Sequence, residues 1–286
     1  TTGTVNVEIT VTDFNNRVAS FTTMIGTGWT TFGSWGGGAN QFDSANGIAI
    51  SSTGEIYIAD TANDRIVRVG SSLGTGWTSL GTSGNGAGQF SGPTGIAVDS
   101  SGRIYVCDSG NNRIVRVDGI GGGGWVTFGI QGPGTGQLDG PRDIAVDASN
   151  RIYISDQFNC RIVSISDMTG AGWQEFGSQG GGSGQFDFQS GIALDANGKI
   201  YIADGINLRI VRIDNMSGAG WTQYLVGAAG PEDVAVDSIG RIYYILPTEN
   251  TIHRMESMTG LNQVVYGSMG FGVGQFDTPL AIAVRG

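Results

Sequence analysis

Two pairs of adjacent charged residues are the groups in this sequence most able to do chemistry. Arg142 is followed by Asp143, and Glu232 is followed by Asp233. Carboxylate oxygens could bridge a cation such as Ca²⁺, and a guanidinium could hold an anion. The structural alternative is that the two Asp side chains bond to the backbone while Arg142 forms an ion pair with Glu232. The elements that position these residues decide between the two.

Other reactive side chains are scarce. The 286 residues include one histidine, His253, and two cysteines, Cys107 and Cys160. A zinc site normally uses several nitrogen or sulfur ligands, and no histidine lies near either cysteine in sequence to activate it. We therefore predict no catalytic residue and no metal ligand, and a structural His253. Cys107 is expected to be a buried thiol and Cys160 a surface thiol, with a disulfide between them as the alternative.

A repeat runs through the whole chain. A four-residue segment recurs after 48, 48, 48, 42 and 48 residues. Its copies are Gly47-Ile-Ala-Ile, Gly95-Ile-Ala-Val, Asp143-Ile-Ala-Val, Gly191-Ile-Ala-Leu, Asp233-Val-Ala-Val and Ala281-Ile-Ala-Val. Each copy contains four short strand-like segments joined by turns rich in Gly, Asn and Asp, without a helical period. This pattern predicts an all-β fold, a six-bladed β-propeller with four antiparallel strands per blade.

The whole chain, residues 1–286, is predicted to form a single propeller domain. The predicted blades are 47–81, 95–129, 143–177, 191–226, 233–267, and a sixth that combines 281–286 with 5–33. In this sixth blade Val5, Val7, Ile9 and Val11 alternate as a strand should. Pairing of the C-terminal strand with this N-terminal strand is a clasp that closes the ring and leaves no inner strand unpaired.

The second copy resembles NHL repeats. It contains PTGIAVD from Pro93 to Asp99 and GRIYVCDSGNNRIVRV from Gly102 to Val117, and the resemblance extends over essentially the whole chain. It implies a propeller that is often six-bladed. Members of this family include sensor domains outside the membrane, RNA-binding or protein-binding proteins, and a zinc-dependent amidating lyase branch. That branch uses histidines which this chain lacks, so we do not expect its activity here.

A propeller places one residue of each blade at the mouth of its central channel. Going round the ring, these are Asn46, Thr94, Arg142, Ser190, Glu232 and Leu280, and the next ring holds Gly47, Gly95, Asp143, Gly191, Asp233 and Ala281. Small polar and charged residues around a concave mouth are typical of a ligand site. The predicted ligand-binding residues here are Asn46, Thr94, Arg142, Asp143, Ser190, Glu232 and Asp233.

The turns between the second and third strands of each blade lie on the same face as this mouth, and they differ between copies. In blades three and four they carry Phe158, Ile206 and Leu208, which are predicted to be exposed and are costly unless something covers them. These side chains are expected to lie beside Arg142 and Glu232. They are also expected to lie beside the linker of the 42-residue interval, which is six residues shorter than the others. We therefore predict that the face of blades three to five binds a partner, with drift after duplication as the alternative.

Composition excludes some partners. The formal net charge is −10, with 15 Lys and Arg against 25 Asp and Glu, which argues against nucleic acid. The longest strongly apolar run, from Ile242 to Leu246, is too short to insert into a bilayer. A single Lys and linkers rich in Gly, Thr and Ser favour an extracytoplasmic or secreted bacterial domain, expected to be a monomer.

Three functions are compatible with these patterns. The first is a non-catalytic binding module without a cofactor, whose partner is a protein, a peptide or a small ligand. The second is a calcium-dependent hydrolase or lactonase at the channel, to which Asp143, Asp233, Glu232 and Asn46 could contribute ligands. The third is a pure scaffold or an engineered repeat protein. The exposed apolar turns and the scarcity of catalytic residue types favour the first.

Overall fold

A computed structural model describes residues 8–21 and 28–285 and confirms the predicted fold class. Six sheets of four antiparallel strands are arranged as blades around a channel. The strands are named a to d from the channel outward. Residues 1–7, 22–27 and 286, which include the predicted strand residues Val5 and Val7, lie outside the described residues.

Blade one consists of Ala45–Ile50, Ile56–Asp60, Arg65–Val69 and Thr78–Leu80. Blade two consists of Pro93–Val98, Ile104–Asp108, Arg113–Val117 and Val126–Phe128. Blade three consists of Pro141–Val146, Ile152–Asp156, Arg161–Ile165 and Gln174–Phe176. Blade four consists of Gln189–Leu194, Ile200–Asp204, Arg209–Ile213 and Thr222–Leu225. Blade five consists of Asp233–Val236, Ile242–Leu246, Thr251–Met255 and Val264–Tyr266. Blade six consists of Pro279–Arg285, Glu8–Asp13, Val18–Phe21 and Thr30–Phe32.

Five strands of the a type, those of blades one to four and of blade six, begin two residues before the repeated four-residue segment. In blade two, Pro93 pairs with Asp108 and Ile96 pairs with Val106, so a β-bulge separates the two contacts. A register shift also occurs in blades one, three, four and six. The a strand of blade five, which begins at Asp233, pairs in an unbroken register.

The clasp is present in blade six. Strand b, Glu8–Asp13, pairs with the C-terminal strand a in an antiparallel register that runs from Glu8 opposite Arg285 to Thr12 opposite Ala281. Its other edge pairs with Val18–Phe21. Val11 and Ile282 are buried in one core cluster with residues of blade five, so the closing blade is packed as well as hydrogen-bonded.

An Asp–Arg pair holds the b–c turn in five blades. In blade two the Asp108 carboxylate accepts a hydrogen bond from Arg113 at 2.7 Å and another from the Ser91 backbone N–H at 2.7 Å. The Arg113 guanidinium also donates to the carbonyls of Asn85 and Gln89 in the preceding linker. The pair therefore ties the turn to the linker that crosses the same face, which is a structural role.

The core lies between the blades. Each of six buried clusters takes side chains from two neighbouring sheets. The repeated tryptophans pack at their outer edge. Trp77 lies 5.2 Å from Phe42, and Trp125 lies 5.2 Å from Phe90, between ring centroids. These tryptophans therefore have a structural role.

The prediction for one cysteine is wrong. Cys107 is buried as expected, but Cys160 is buried as well, and both are free thiols. Cys160 takes the left-handed position that ends the b–c turn, with φ 51°, where blade two has Asn112. The Asn112 side chain accepts a hydrogen bond from the Gly140 N–H at 2.8 Å. Cys160 at this position is buried, and burial raises the pKa of its thiol.

Among the described residues, no helix is long and apolar enough to span a membrane.

Candidate functional site

The a strands of all six blades line the central channel, which has a cavity of about 300 Å³. The predicted mouth residues Asn46, Thr94, Arg142, Ser190 and Glu232 are all part of its wall, as are the second-ring residues. Below these rings the wall is apolar, formed by Ala and by branched aliphatic residues. The structure therefore brings the predicted channel residues together, with their polar groups confined to one end.

Arg142 reaches across the mouth. Its Nη2 atom, from blade three, donates to Glu232 Oε1 of blade five at 2.5 Å and to Asn46 Oδ1 of blade one at 3.1 Å. Both contacts use the same nitrogen, and the other guanidinium N–H groups have no acceptor among residues 8–21 and 28–285. The pair is partly exposed to solvent. Its formation is the structural alternative considered from the sequence.

Two hydroxyl groups hold the backbone of this pair. Thr94 Oγ1 donates to the Arg142 carbonyl at 2.8 Å, and Ser190 Oγ donates to the Glu232 carbonyl at 2.5 Å. The side chains of Thr94 and Ser190 are themselves buried. They position the two charged residues.

Asp143 and Asp233 link neighbouring blades beneath the mouth. Asp143 Oδ2 accepts the Ile192 N–H of blade four at 2.8 Å, and Asp233 Oδ2 accepts the Ile282 N–H of blade six at 2.8 Å. A Cβ on Gly191 would lie 2.2 Å from Asp233 Oδ1 and 2.7 Å from its Cα. Gly95 and Gly191 are therefore required by packing, since Asp143 and Asp233 of the following blades fill the space beside them.

Burial raises the pKa of both carboxyl groups. The pKa of Asp143 is raised to about 6, first by loss of solvent, against the lowering effect of the N–H bonds from Ile192 and Ile144. The pKa of Asp233 is raised well above its usual value, first by burial and then by the charge of Asp143. Each carboxylate therefore makes its neighbour harder to ionise, and the two titrate as a pair.

No group of three or more His, Cys, Asp and Glu side chains is placed to hold a metal ion in the described parts of the chain. Asp143 and Asp233 instead point at backbone N–H groups. Calcium binding at these two residues stays a prediction, which a calcium titration of thermal stability would test.

The apolar turns of blades three and four lie on the mouth face. Phe158 and Ile206 are 58% and 59% exposed. Their backbone N–H groups donate to the carbonyls of Asp139 and Asp187 in the linkers beside them. The prediction for Leu208 is wrong, because this side chain is half-buried. It occupies the left-handed end of the turn, with φ 54°, and its carbonyl accepts the Val226 N–H, which holds it against the end of strand d.

Phe188 is an exposed aromatic residue that sequence reasoning missed. It is 46% exposed, with φ 56°, at a linker position occupied by Gly92 and Gly140 in the two preceding copies. Its ring meets that of Phe158 edge-on, with 5.6 Å between centroids. A left-handed backbone costs an ordinary L-residue roughly 1–2 kcal/mol. Alignment of the copies could have found it, because the sequence reads Phe where the other copies have a small residue, such as Ser44, Gly92, Gly140 or Thr278.

A second apolar group on the mouth face was also missed. Phe14, at the turn of blade six, occupies the position equivalent to Phe158 and is exposed. Nearby in the linker, Met269, Phe271 and Val273 are exposed too. The blade-six turn is one residue shorter than the others, which concealed the equivalence of Phe14 in the sequence.

With the geometry established, comparisons with known proteins identify the repeat. The NHL-repeat profile matches residues 42–68 and 90–116. The chain carries NHL repeats on a six-bladed propeller. The N-terminal profile of strictosidine synthase-like proteins also matches a short stretch, residues 222–244. A comparison with curated protein sequences finds no match.

Several solved structures are similar to this propeller in fold. A propeller in the nidogen/laminin complex is 17% identical and covers 97% of this chain and 98% of its own, with a TM-score of 0.74. A streptogramin B lyase is 16% identical, with 93% and 80% coverage and a TM-score of 0.63. An inactive variant of virginiamycin B lyase from Staphylococcus aureus with quinupristin is 21% identical, with 93% and 85% coverage and a TM-score of 0.61. At these identities the similarity shows the fold alone. The same kind of fold occurs in a protein complex and in lyases, so it does not decide the function of this chain.

Proposed function

We propose that this NHL propeller is a non-catalytic binding module whose protein partner docks on the mouth face of blades three to five. The rim surface, defined as Phe158, Phe188 and Ile206, supplies the apolar contact. The observation that carries this proposal is Phe188, an aromatic side chain kept exposed on a left-handed backbone. Strained residues persist where the surrounding structure holds them, and they cluster at functional sites.

The charge around the rim surface defines the chemistry of the partner. Asp139 and Asp187 lie in the linkers beside the apolar side chains and are partly exposed. Three arginines of these blades are not free to balance them. Arg161 and Arg209 are buried beneath the linkers, and Arg142 is paired with Glu232. The partner segment that complements this face therefore carries apolar residues together with Lys or Arg.

Three synthetic dodecapeptides labelled with fluorescein would test this recognition by fluorescence anisotropy. The first mixes Leu and Lys, the second has Glu in place of Lys, and the third has Ser in place of Leu. We expect the Leu/Lys peptide to bind at least tenfold more tightly than the other two. Equal binding of all three peptides, or no binding by any, would contradict the proposal.

Phe188→Gly is the informative variant, because glycine suits the left-handed backbone. It should keep the stability of the wild type within about 1 kcal/mol, since relief of strain offsets the lost contact. It should also bind the Leu/Lys peptide at least tenfold more weakly. Phe271→Ser, on the exposed surface of blade six, is the matched control and should bind normally. A Phe188→Gly variant with wild-type affinity would overturn the assignment to this surface.

The extracytoplasmic location and the monomeric state stay predictions from composition.

A further inference from the structure

Both side chains of the Arg142–Glu232 pair at the channel mouth have polar atoms that make no hydrogen bond with the residues that the structure describes. Arg142 donates through Nη2 alone, so the remaining edge of its guanidinium fork is available to a carboxylate. Glu232 Oε1 accepts that bond, which leaves Oε2 available to a donor. Both side chains are partly exposed, at 22% and 31%. A ligand at the mouth can therefore reach either charge without unfolding the blade.

The backbone of this pair is fixed more firmly than its side chains. Ser190 and Thr94 hold the carbonyls of Glu232 and Arg142, and both hydroxyl groups are used in doing so. Glu232 N–H donates to the Ile245 carbonyl. The two charged side chains are tied mainly to each other. The two side chains can therefore adjust to a ligand beside them while their backbone supports stay in place.

Charge balance selects the kind of ligand that fits beside the pair. The pair is neutral as a whole, so a simple anion on the open edge of Arg142, or a simple cation on Glu232 Oε2, leaves a net charge at the mouth. Either outcome costs free energy at a partly desolvated site. A molecule that carries both charges can lie between the two side chains and give each a partner.

The channel beneath the mouth selects for an apolar group of limited size. Its wall there consists of alanines, such as Ala97 and Ala145, with Val98, Val146 and Leu194 below them. The cavity of about 300 Å³ is at the lower end of the range for ligand sites, which admits a small molecule only. A ligand whose charges stay at the mouth would extend its uncharged part into this apolar section.

We propose that the channel mouth binds a free α-amino acid with an apolar side chain. Its carboxylate pairs with the open edge of Arg142, its ammonium pairs with Glu232, and its side chain enters the apolar channel. This site is separate from the rim surface, so it can succeed or fail independently of the partner proposed for that surface.

Isothermal titration calorimetry with four compounds of one skeleton series tests the assignment. L-leucine has both charges and the side chain, isoamylamine lacks the carboxylate, 4-methylpentanoate lacks the ammonium, and glycine lacks the side chain. We expect L-leucine to bind at least tenfold more tightly than each of the other three. Binding of isoamylamine or 4-methylpentanoate as tight as that of L-leucine would overturn the proposal, as would the absence of L-leucine binding at 10 mM, on the order of the weakest affinity of interest.

Two variants separate recognition from stability. Arg142→Gln removes the carboxylate partner and should weaken L-leucine binding at least tenfold while leaving binding of the Leu/Lys peptide at the rim unchanged. Arg68→Gln removes a comparable ion pair, Arg68–Glu55 at 2.9 Å, from a site outside the channel, and should bind L-leucine normally. Both variants should show the cooperative thermal unfolding of the wild type. Unchanged L-leucine affinity in Arg142→Gln would refute the site.

Discussion

Replacement of Asp143 by Asn should stabilise the protein at neutral pH, although it removes a hydrogen-bonded residue. The carboxyl group has a pKa of about 6 in the native channel, against 3.8 in the unfolded chain. Since the native state binds more protons between about pH 4 and pH 6, stability falls as the pH rises through that interval. Asparagine keeps a carbonyl oxygen for the Ile192 N–H and carries no charge, so it resembles the protonated acid.

The magnitude follows from the two pKa values. A tenfold change in an acidity constant corresponds to 1.36 kcal/mol, so a carboxyl with this native pKa costs at most about 3 kcal/mol to ionise on folding. Asp143 is partly open to water in the channel, which screens its charge, and we expect about 1–2 kcal/mol. Asp143→Asn should therefore gain that much at pH 7 and almost nothing at pH 3.5.

Urea denaturation of the wild type and the variant at the two pH values measures this difference. Asp99→Asn is the control with the opposite sign. Burial alone would raise the pKa of Asp99, but hydrogen bonds from Arg103 and Ser101 outweigh it and lower the pKa. Asp99→Asn should therefore lose stability at pH 7. If Asp143→Asn also loses stability at pH 7, Asp143 is a structural residue that stabilises the ring in its charged form, and the reasoning fails.

Three further results are expected. Gly191→Ala should destabilise the protein by about 2–3 kcal/mol in thermal or urea unfolding, because its Cβ meets the backbone of the next blade; Gly121→Ala, with open space around it, should be neutral. Arg113→Lys should cost about 2 kcal/mol, because lysine cannot reproduce the three fork contacts, and unchanged urea unfolding would contradict the clamp. His253 should titrate below pH 6.5 in an NMR experiment, because burial lowers its pKa, and its stacking on Tyr244 at 4.8 Å fixes the ring; a midpoint above 6.5 would contradict this.

The sequence was sufficient for features that repeat. The spacing of the Gly/Asp-Ile-Ala segments predicts the number of blades, because six copies of one pattern give the same indication. The Asp108–Arg113 pair that holds the b–c turn recurs in the same way. The mouth ring followed from the same register. The sequence also allows the Arg142–Glu232 ion pair as the alternative to an ion-binding site, since a propeller brings distant copies to one channel.

The sequence was insufficient where a side-chain direction depends on a single backbone angle. Leu208 and Cys160 lie in equivalent turns and look exposed, yet their left-handed backbone turns both inward. Phe188 looks like an ordinary linker residue in the sequence, and only its φ of 56° shows that its backbone is left-handed. The raised pKa of Asp233 comes first from burial and then from the charge of Asp143, two blades away, and no local sequence pattern contains either.

The clasp determines how the ring responds to a pulling force. Glu8 lies opposite Arg285 at one end of an antiparallel pair, so tension applied through these two residues acts across the hydrogen bonds. The bonds are then loaded one after another, as in a zipper, and give way at lower force than strands that slide lengthwise in shear. Blade six would open first, and it would expose the cores that it shares with blades one and five. The clasp that closes the ring is therefore also the place where we expect the ring to be mechanically weakest.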